Sequence, residues 1–431
     1  MTRVEPAISL AGHIAVPGDK SISHRAVLLG AVAEGVTTIG GFGRSRDTEA
    51  TIAAVRTLGV EVLEDDADTL RVRGVGLGKL APSSGPIDCR NAGTLLRLLA
   101  GLAAGQEGRF ELTGDESLRR RPMERIAEPL RRMGAEVSTE NGCPPLVVEG
   151  RPLRGIRYEL PVASAQVKSC LLLAGVQARR DQTTVIEPFT TRDHTEVMLE
   201  AAGAAIRRRP RSVSVSPARR LQLGAVQVPG DFSAAAPFVV AATIVPGSEL
   251  TLHDVGLNPT RTGLLDVLAR MGARVTVLNR RRVGGEPVGD LDVRSAELVA
   301  SSIEALDVPR MVDELPLFAL AASCARGESI VRGASELRVK ESDRIEAVAT
   351  GLRALGARIS ATPDGFRVKG VPTRPRGGEI DSYGDHRIAM MGGVAGLISR
   401  QGVHIHDADS VDVSFPGFFD LLENVAQRSR P

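Results

Sequence analysis

Leu58-Gly59-Val60-Glu61-Val62, Met133-Gly134-Ala135-Glu136-Val137, Ala202-Gly203-Ala204-Ala205-Ile206, Met271-Gly272-Ala273-Arg274-Val275 and Leu355-Gly356-Ala357-Arg358-Ile359 are variants of one phrase. Each closes a run of helical spacing, passes a glycine suited to the position after a helix C-terminus, and enters an alternating strand. The glycines recur about 70 to 85 residues apart, room for one multi-strand, two-helix unit. The 431 residues therefore predict roughly six related α/β units, the last degenerate, shared between two domains of about 200 residues. Val228-Pro229-Gly230-Asp231 and the stretch 372–378 mark turns. Phe232-Ser233-Ala234-Ala235-Ala236 then begins a buried helix, and this is where the chain is expected to pass between lobes.

Composition narrows the partners. Lys plus Arg number 54 against 52 for Asp plus Glu, so no global field favours nucleic acid or a membrane surface. The apolar segments 234–245 and 315–325 are too short to span a bilayer and predict buried helices. Cys89, Cys143, Cys170 and Cys324 have no CxxC spacing and no secretory signal ahead of them. They predict reduced thiols in a cytoplasmic protein, without a metal site.

The charge is focused at helix starts. Pro17-Gly18-Asp19-Lys20-Ser21-Ile22-Ser23-His24-Arg25 turns into the apolar run 26–32, with Ser21 or Ser23 able to cap it. A helix N-terminus carries partial positive charge, so Lys20 and Arg25 beside it call for an anion. The arrangement recurs at Asn91-Ala92-Gly93-Thr94 with Arg97, at Ser164-Ala165-Gln166 with Lys168, at Lys340 to Arg344, and at Gly384-Asp385-His386-Arg387. Of only five lysines, Lys20, Lys168 and Lys340 lie in these motifs. One such start is an ordinary capped helix; the recurrence predicts a polyanionic ligand, or two anionic ligands side by side. Arg207-Arg208-Arg209-Pro210-Arg211 is the best argument for a nucleic-acid binder. With no Trp and two Tyr, however, the chain lacks stacking platforms, and Val213 and Val215 alternating with serines predict a solvated hairpin instead.

These motifs, with Arg119-Arg120-Arg121-Pro122, Thr191-Arg192-Asp193-His194, Asp313-Glu314 and Arg338 to Arg344, resemble the enolpyruvyl transferases over essentially the full length. The resemblance implies a two-lobed inside-out α/β barrel of six βαβαββ repeats, three per lobe, with the active site in the interlobe cleft. The implied lobes are 21–228, carrying much of the shikimate 3-phosphate site, and 1–20 joined to 229–431. It also implies transfer of the enolpyruvyl group of phosphoenolpyruvate to the 5-hydroxyl of shikimate 3-phosphate, by a monomer needing no metal or organic cofactor. Two substrates, each with a phosphate and a carboxylate, would account for the cationic helix starts.

Carried over by resemblance, Asp313 is the base, Glu341 the acid, and Lys20 contacts both the donor phosphate and the region of bond making. His386 either assists proton transfer or is a hydrogen-bonded cap. Gly93, Thr94, Arg121, Gln166, Arg344 and Arg387 are assigned with Lys20 to phosphoenolpyruvate, where the planar fork of arginine suits bidentate pairing. Ser21, Arg25, Ser164, Ala165, Gln166, Arg192, Asp313 and Lys340 are assigned with Lys20 to shikimate 3-phosphate. Arg97 and Lys168, a turn further along their helices, are expected to be structural. Ala165, Glu336 and Val413 depart from one branch of the family, and Arg192 is the residue expected to supply charge that Ala165 and Val413 do not. The sister enzyme acting on UDP-N-acetylglucosamine is the nearest rival. It places a cysteine in the loop before the Arg-Pro pair, where this chain has Gly114-Asp115-Glu116-Ser117-Leu118-Arg119-Arg120.

Overall fold

The computed structural model describes residues 1–428; the last three positions of the expected 229–431 lobe lie outside the described residues. All five repeat glycines have left-handed backbones, with φ of +83° at Gly59, +113° at Gly134, +90° at Gly203, +91° at Gly272 and +93° at Gly356. A Cβ is disfavoured there, so each glycine stops its helix and redirects the chain into a strand. Helix Glu124–Met133, Gly134 and strand Glu136–Glu140 form one such passage.

The chain divides into two units. One is continuous over Gly18–Val228, with the short piece Arg282–Glu286 added; the other is split among Met1–Pro17, Pro229–Arg281 and Pro287–Pro431. The continuous unit has three four-stranded sheets of one design: a parallel pair, then two antiparallel neighbours. In the second of them Ile87–Asp88 runs parallel to Gly108–Thr113, which pairs antiparallel with Cys143–Gly150, which pairs with Glu136–Glu140. In the first, Ala225–Gln227 from the end of the segment runs parallel to Glu34–Gly40.

The split unit repeats the design with losses. Ser9–Ala15 runs parallel to Glu249–Gly256 in a five-stranded sheet. The next sheet has three strands, and isolated parallel bridges at Val299–Arg326 and Ile303–Val331 occupy the place of its leading strand. The expected degenerate sixth repeat is the sheet of Gly378–Asp381, Val403–His406 and Thr2–Val4, whose antiparallel member comes from the start of the chain.

Helices fill the interior. Every residue of Phe232–Ile244 and His386–Ile398 is buried, which explains why these helices are apolar on all sides. In the continuous unit, Lys20–Val32, Gly93–Ala103 and Ala165–Gly175 are buried except at Lys20, Ser21, Thr94, Ala165 and Gln166, all in first turns. Gly101 permits the tightest of these packings: a Cβ there would stand 2.3 Å from the Cys170 carbonyl oxygen. The arginine-rich hairpin forms as Ile206–Arg209 against Ser212–Val215, but only half of it is solvated, since Val213 and Val215 are buried and Arg208 pairs with Glu200.

Candidate active site

In the continuous unit, the close crossing at Gly101 brings two helix starts within hydrogen-bond reach. Gln166 Nε2 donates to Thr94 Oγ1 at 2.9 Å, and Gln166 Oε1 accepts from Arg97 Nη1 at 2.9 Å. Arg97 Nη1 also donates to the Gly93 carbonyl at 3.2 Å. Arg121 reaches the same place from the chain after the short helix Glu116–Arg119, donating to Asn91 Oδ1 at 2.7 Å. A Cβ on Gly93 would lie 2.7 Å from Arg97 Nη1 and 3.1 Å from Arg121 Nη1. The bare glycine thus lets two guanidinium groups close over one helix start, a geometry that attracts an anion. Arg97, expected to be structural, belongs to this cluster. Its spacing of one turn from Gly93 is the signal that could have found it.

The start of Lys20–Val32 differs from expectation in its cap. Asp19, not Ser21 or Ser23, accepts from the Ile22 amide at 2.8 Å, because its carboxylate precedes the first turn. Lys20 Nζ pairs with Asp47 Oδ2 at 2.8 Å. Arg25 is buried and donates from Nε to Thr195 Oγ1 at 2.7 Å, from Nη1 to the Ser21 carbonyl at 2.8 Å and from Nη2 to Ser169 Oγ at 3.0 Å. Burial, then Lys20 and Arg25, push the His24 imidazole well below its ordinary range against the weaker pull of Asp19, so the ring between these cations is neutral. Ser164 caps Ala165–Gly175 as expected, through Val167 at 3.4 Å. Lys168 is fully buried against Glu196 at 2.7 Å and Glu187 at 3.1 Å, in keeping with the structural expectation. Ala92 stands at the cap of Gly93–Ala103 without a side-chain bond, while Asn91 is engaged with Arg121 and Asp115.

In the split unit, Arg344 gathers three carboxylates. Its Nε meets Asp385 Oδ2 at 2.8 Å, its Nη2 meets Glu341 Oε2 at 2.6 Å, and its Nη1 meets Asp313 Oδ1 at 3.2 Å. Arg344 and Asp385 are buried, whereas the Asp313 and Glu341 side chains keep about a sixth of their surface exposed (16% and 17%). Burial opposes the Arg344 charge, but Asp385, Glu341 and Asp313 overcome it and hold its pKa above the ordinary arginine value. Asp385 also caps His386–Ile398 by accepting from the Arg387 amide at 2.9 Å, so one buried carboxylate holds the Arg344 guanidinium and the helix start that carries Arg387. Asp343 caps Arg344–Ala354 through Ile345 and Glu346.

Arg387 Nη1 donates to the Ser233 carbonyl at 3.1 Å, and its Nε makes no hydrogen bond within the chain. Ser233 hydroxyl donates to the buried Glu314, and accepts from Arg261 Nη2 at 2.8 Å. Sequence reasoning missed Arg261: it sits in Asn258-Pro259-Thr260-Arg261, where neither periodicity nor a helix start marks it. His386 is buried, with Nδ1 4.0 Å from Asp385 Oδ1. Arg192 and Lys340 are half-buried. Cys143, remote in sequence from the loop that distinguishes the sister enzyme, lies beside it in space, with Sγ 3.7 Å from the Arg120 carbonyl.

Comparison with known proteins agrees with this pattern. The family model for EPSP synthase (3-phosphoshikimate 1-carboxyvinyltransferase) matches residues 4–422. A 3-phosphoshikimate 1-carboxyvinyltransferase of Acidithiobacillus ferrooxidans is 51% identical over 98% of both chains, and one of Geobacter sulfurreducens is equally similar (51%, 98% of both). A solved EPSP synthase from Acinetobacter baumannii superposes with a TM-score of 0.87, at 42% identity over 98% of both chains. The enolpyruvyl transferase NikO from Streptomyces tendae shares the fold alone: TM-score 0.78, 18% identity, over 98% of this chain and 96% of that one. With a family match spanning 4–422 and relatives half identical along almost their whole length, the chain belongs to the EPSP synthase (3-phosphoshikimate 1-carboxyvinyltransferase) family.

Proposed function

We infer that this chain transfers the enolpyruvyl group of phosphoenolpyruvate to the 5-hydroxyl of shikimate 3-phosphate and releases phosphate. Family membership supports the reaction. For the residue roles, the carrying observation is Arg344, which holds two partly exposed carboxylates, Asp313 and Glu341, on one guanidinium. Addition of a hydroxyl across the double bond of an enol phosphate needs a base for the hydroxyl and an acid for the methylene carbon, and this pair supplies candidates for both. Asp313 takes the hydroxyl proton; Glu341 gives a proton to the vinyl carbon. As the tetrahedral adduct collapses, a proton of the new methyl group returns to Glu341, the C=C re-forms and the C–O bond to phosphate breaks, the departing charge being met by cations including Lys20.

Arg344 has a second task in this scheme. Without substrate its N–H groups are engaged by the carboxylates of Asp313, Glu341 and Asp385. An incoming phosphoenolpyruvate carboxylate competes for the same fork, weakening the hold on Glu341 as the donor binds. Arg121 and Arg387 complete the donor's anion contacts. Gly93 and Thr94 line the helix start, and Ser21, Arg25, Ser164, Gln166, Arg192 and Lys340 hold shikimate 3-phosphate. Ala165 offers the acceptor only its backbone.

The test is phosphate release from phosphoenolpyruvate with shikimate 3-phosphate, beside a parallel reaction with UDP-N-acetylglucosamine. Release with shikimate 3-phosphate alone, lost in Asp313→Ala, supports both the reaction and its base. Release with the nucleotide sugar alone overturns the acceptor.

Gly93→Ala offers an independent check on the donor site. The new methyl would press on the guanidinium ends of Arg97 and Arg121, which can yield, so the variant is expected to fold. Their displacement should raise KM for phosphoenolpyruvate about tenfold, as loss of one charge-assisted hydrogen bond would, with little change for shikimate 3-phosphate. Initial-rate kinetics in both substrates separate the two.

A further inference from the structure

One buried hydrogen-bonded pair has no part in the scheme above. His194 opens the helix His194–Ala201, and its Nδ1 lies 2.7 Å from Glu286 Oε1, both side chains being almost wholly buried. Glu286 stands 92 positions later, at the turn of the hairpin Arg274–Val283 and Glu286–Arg294. The hairpin strands belong to the split unit, but the tip Arg282–Glu286 belongs to the continuous one. Among the described residues His194 Nε2 makes no hydrogen bond, so the ring is held through Nδ1, which donates to the carboxylate.

Three residues back, the same segment is fixed a second time. Lys168 Nζ donates to the Thr191 carbonyl at 3.3 Å, and Glu187 Oε2 accepts from the Thr191 amide at 3.1 Å and from its hydroxyl. Buried hydrogen bonds therefore pin positions 191 and 194, and between them lie Arg192 and Asp193, both half-buried. Buried carboxylates are costly and such contacts are a weak source of stability. What these two pairs accomplish is to hold a two-residue span rigidly next to the core.

We propose that Glu286 is a positioning residue for the acceptor: it fixes His194, and through it the span that presents Arg192 to the phosphate of shikimate 3-phosphate. This rests on the assignment of Arg192 to that phosphate. A residue from the hairpin tip thereby tunes the affinity of a site to which 18–228 contributes Ser21, Arg25, Ser164 and Gln166.

The experiment is steady-state kinetics of Glu286→Ala, Glu286→Gln, Arg192→Ala and the Arg192→Ala/Glu286→Ala double variant, with thermal melts as a folding control. Glu286→Ala should raise KM for shikimate 3-phosphate about tenfold, leaving kcat and KM for phosphoenolpyruvate within about twofold. Glu286→Gln keeps an oxygen that accepts from Nδ1–H and should stay within about threefold of the parent. In the Arg192→Ala background, Glu286→Ala should add almost nothing, because the two act through one contact. Effects that multiply, or a parallel loss in both KM values and kcat, overturn the positioning role. An unchanged acceptor KM in Arg192→Ala overturns the assignment of Arg192 and this proposal with it. Should Glu286→Ala not fold, Glu286→Asp, which withdraws the carboxylate by one methylene, takes its place in the cycle under the same criteria.

Discussion

Glu341→Gln is expected to bind both substrates and to lose turnover by about 10²- to 10⁴-fold, the range general acid catalysis supplies. The amide is isosteric with the carboxyl, and its oxygen can still accept from Arg344 Nη2, where the carboxylate now sits at 2.6 Å. Arg344 would therefore keep its place, and with it Asp313 and Asp385. The amide cannot give up a proton to carbon. Calorimetric binding of shikimate 3-phosphate should match the parent while kcat for phosphate release collapses, the signature of an interaction made only in the transition state. Near-normal turnover would remove Glu341 from the acid role.

Arg344→Met should cost more than activity. The methionine fills much of the same space but leaves Asp385, entirely buried, and its neighbours Asp313 and Glu341 without the cation they share. Breaking one partner out of a buried ionic cluster typically costs about 3–5 kcal/mol, and that loss should be visible as an earlier urea midpoint at pH 7. The pH dependence fixes the cause. Because the folded pKa of Arg344 is raised, its contribution is fully present below the ordinary arginine range and is lost only as pH climbs beyond that range. The parent therefore shows no titration of this group between pH 4 and 9. In the variant the crowded carboxylates favour protonation, so their penalty is relieved as pH falls toward about 4, the ordinary carboxylate range, and returns as pH rises. The stability gap between parent and variant should thus be widest near neutrality and narrow in acid. A gap independent of pH would mean that lost packing, not charge, is responsible.

The repeat was legible in the sequence because it rests on a local constraint: Gly59, Gly134, Gly203, Gly272 and Gly356 each need a backbone that side chains disfavour, and that need is written into one residue type. The cationic helix starts were legible for a similar reason, since Lys20 and Arg25 go against the helix dipole. Partners across space were not. Asp47 beside Lys20, Glu286 beside His194 and Arg261 beside Ser233 depend on tertiary packing between elements 27, 92 and 28 residues apart, and no spacing rule reaches them. The cap at Asp19 was misread because several residues around Ser21 can accept an amide hydrogen bond, and only the actual entry angle chooses among them. Arg97 was set aside for being one turn from the helix start, although a long side chain folds back over that turn toward the N-terminus.

Strand Thr2–Val4 closes its sheet only by pairing with Val403–His406, and Ser9–Leu10 pairs with Ala426–Gln427. During synthesis on the ribosome, the segment 18–228 has its three sheets available as soon as it has emerged, and only the hairpin tip arrives later. Thr2–Val4 must instead wait, without their strand partner, while almost four hundred other residues are made. Their exposed edges are then the part of the nascent chain most open to chaperones, proteases and wrong partners. The hazard is concentrated in a few residues that carry no chemistry at all.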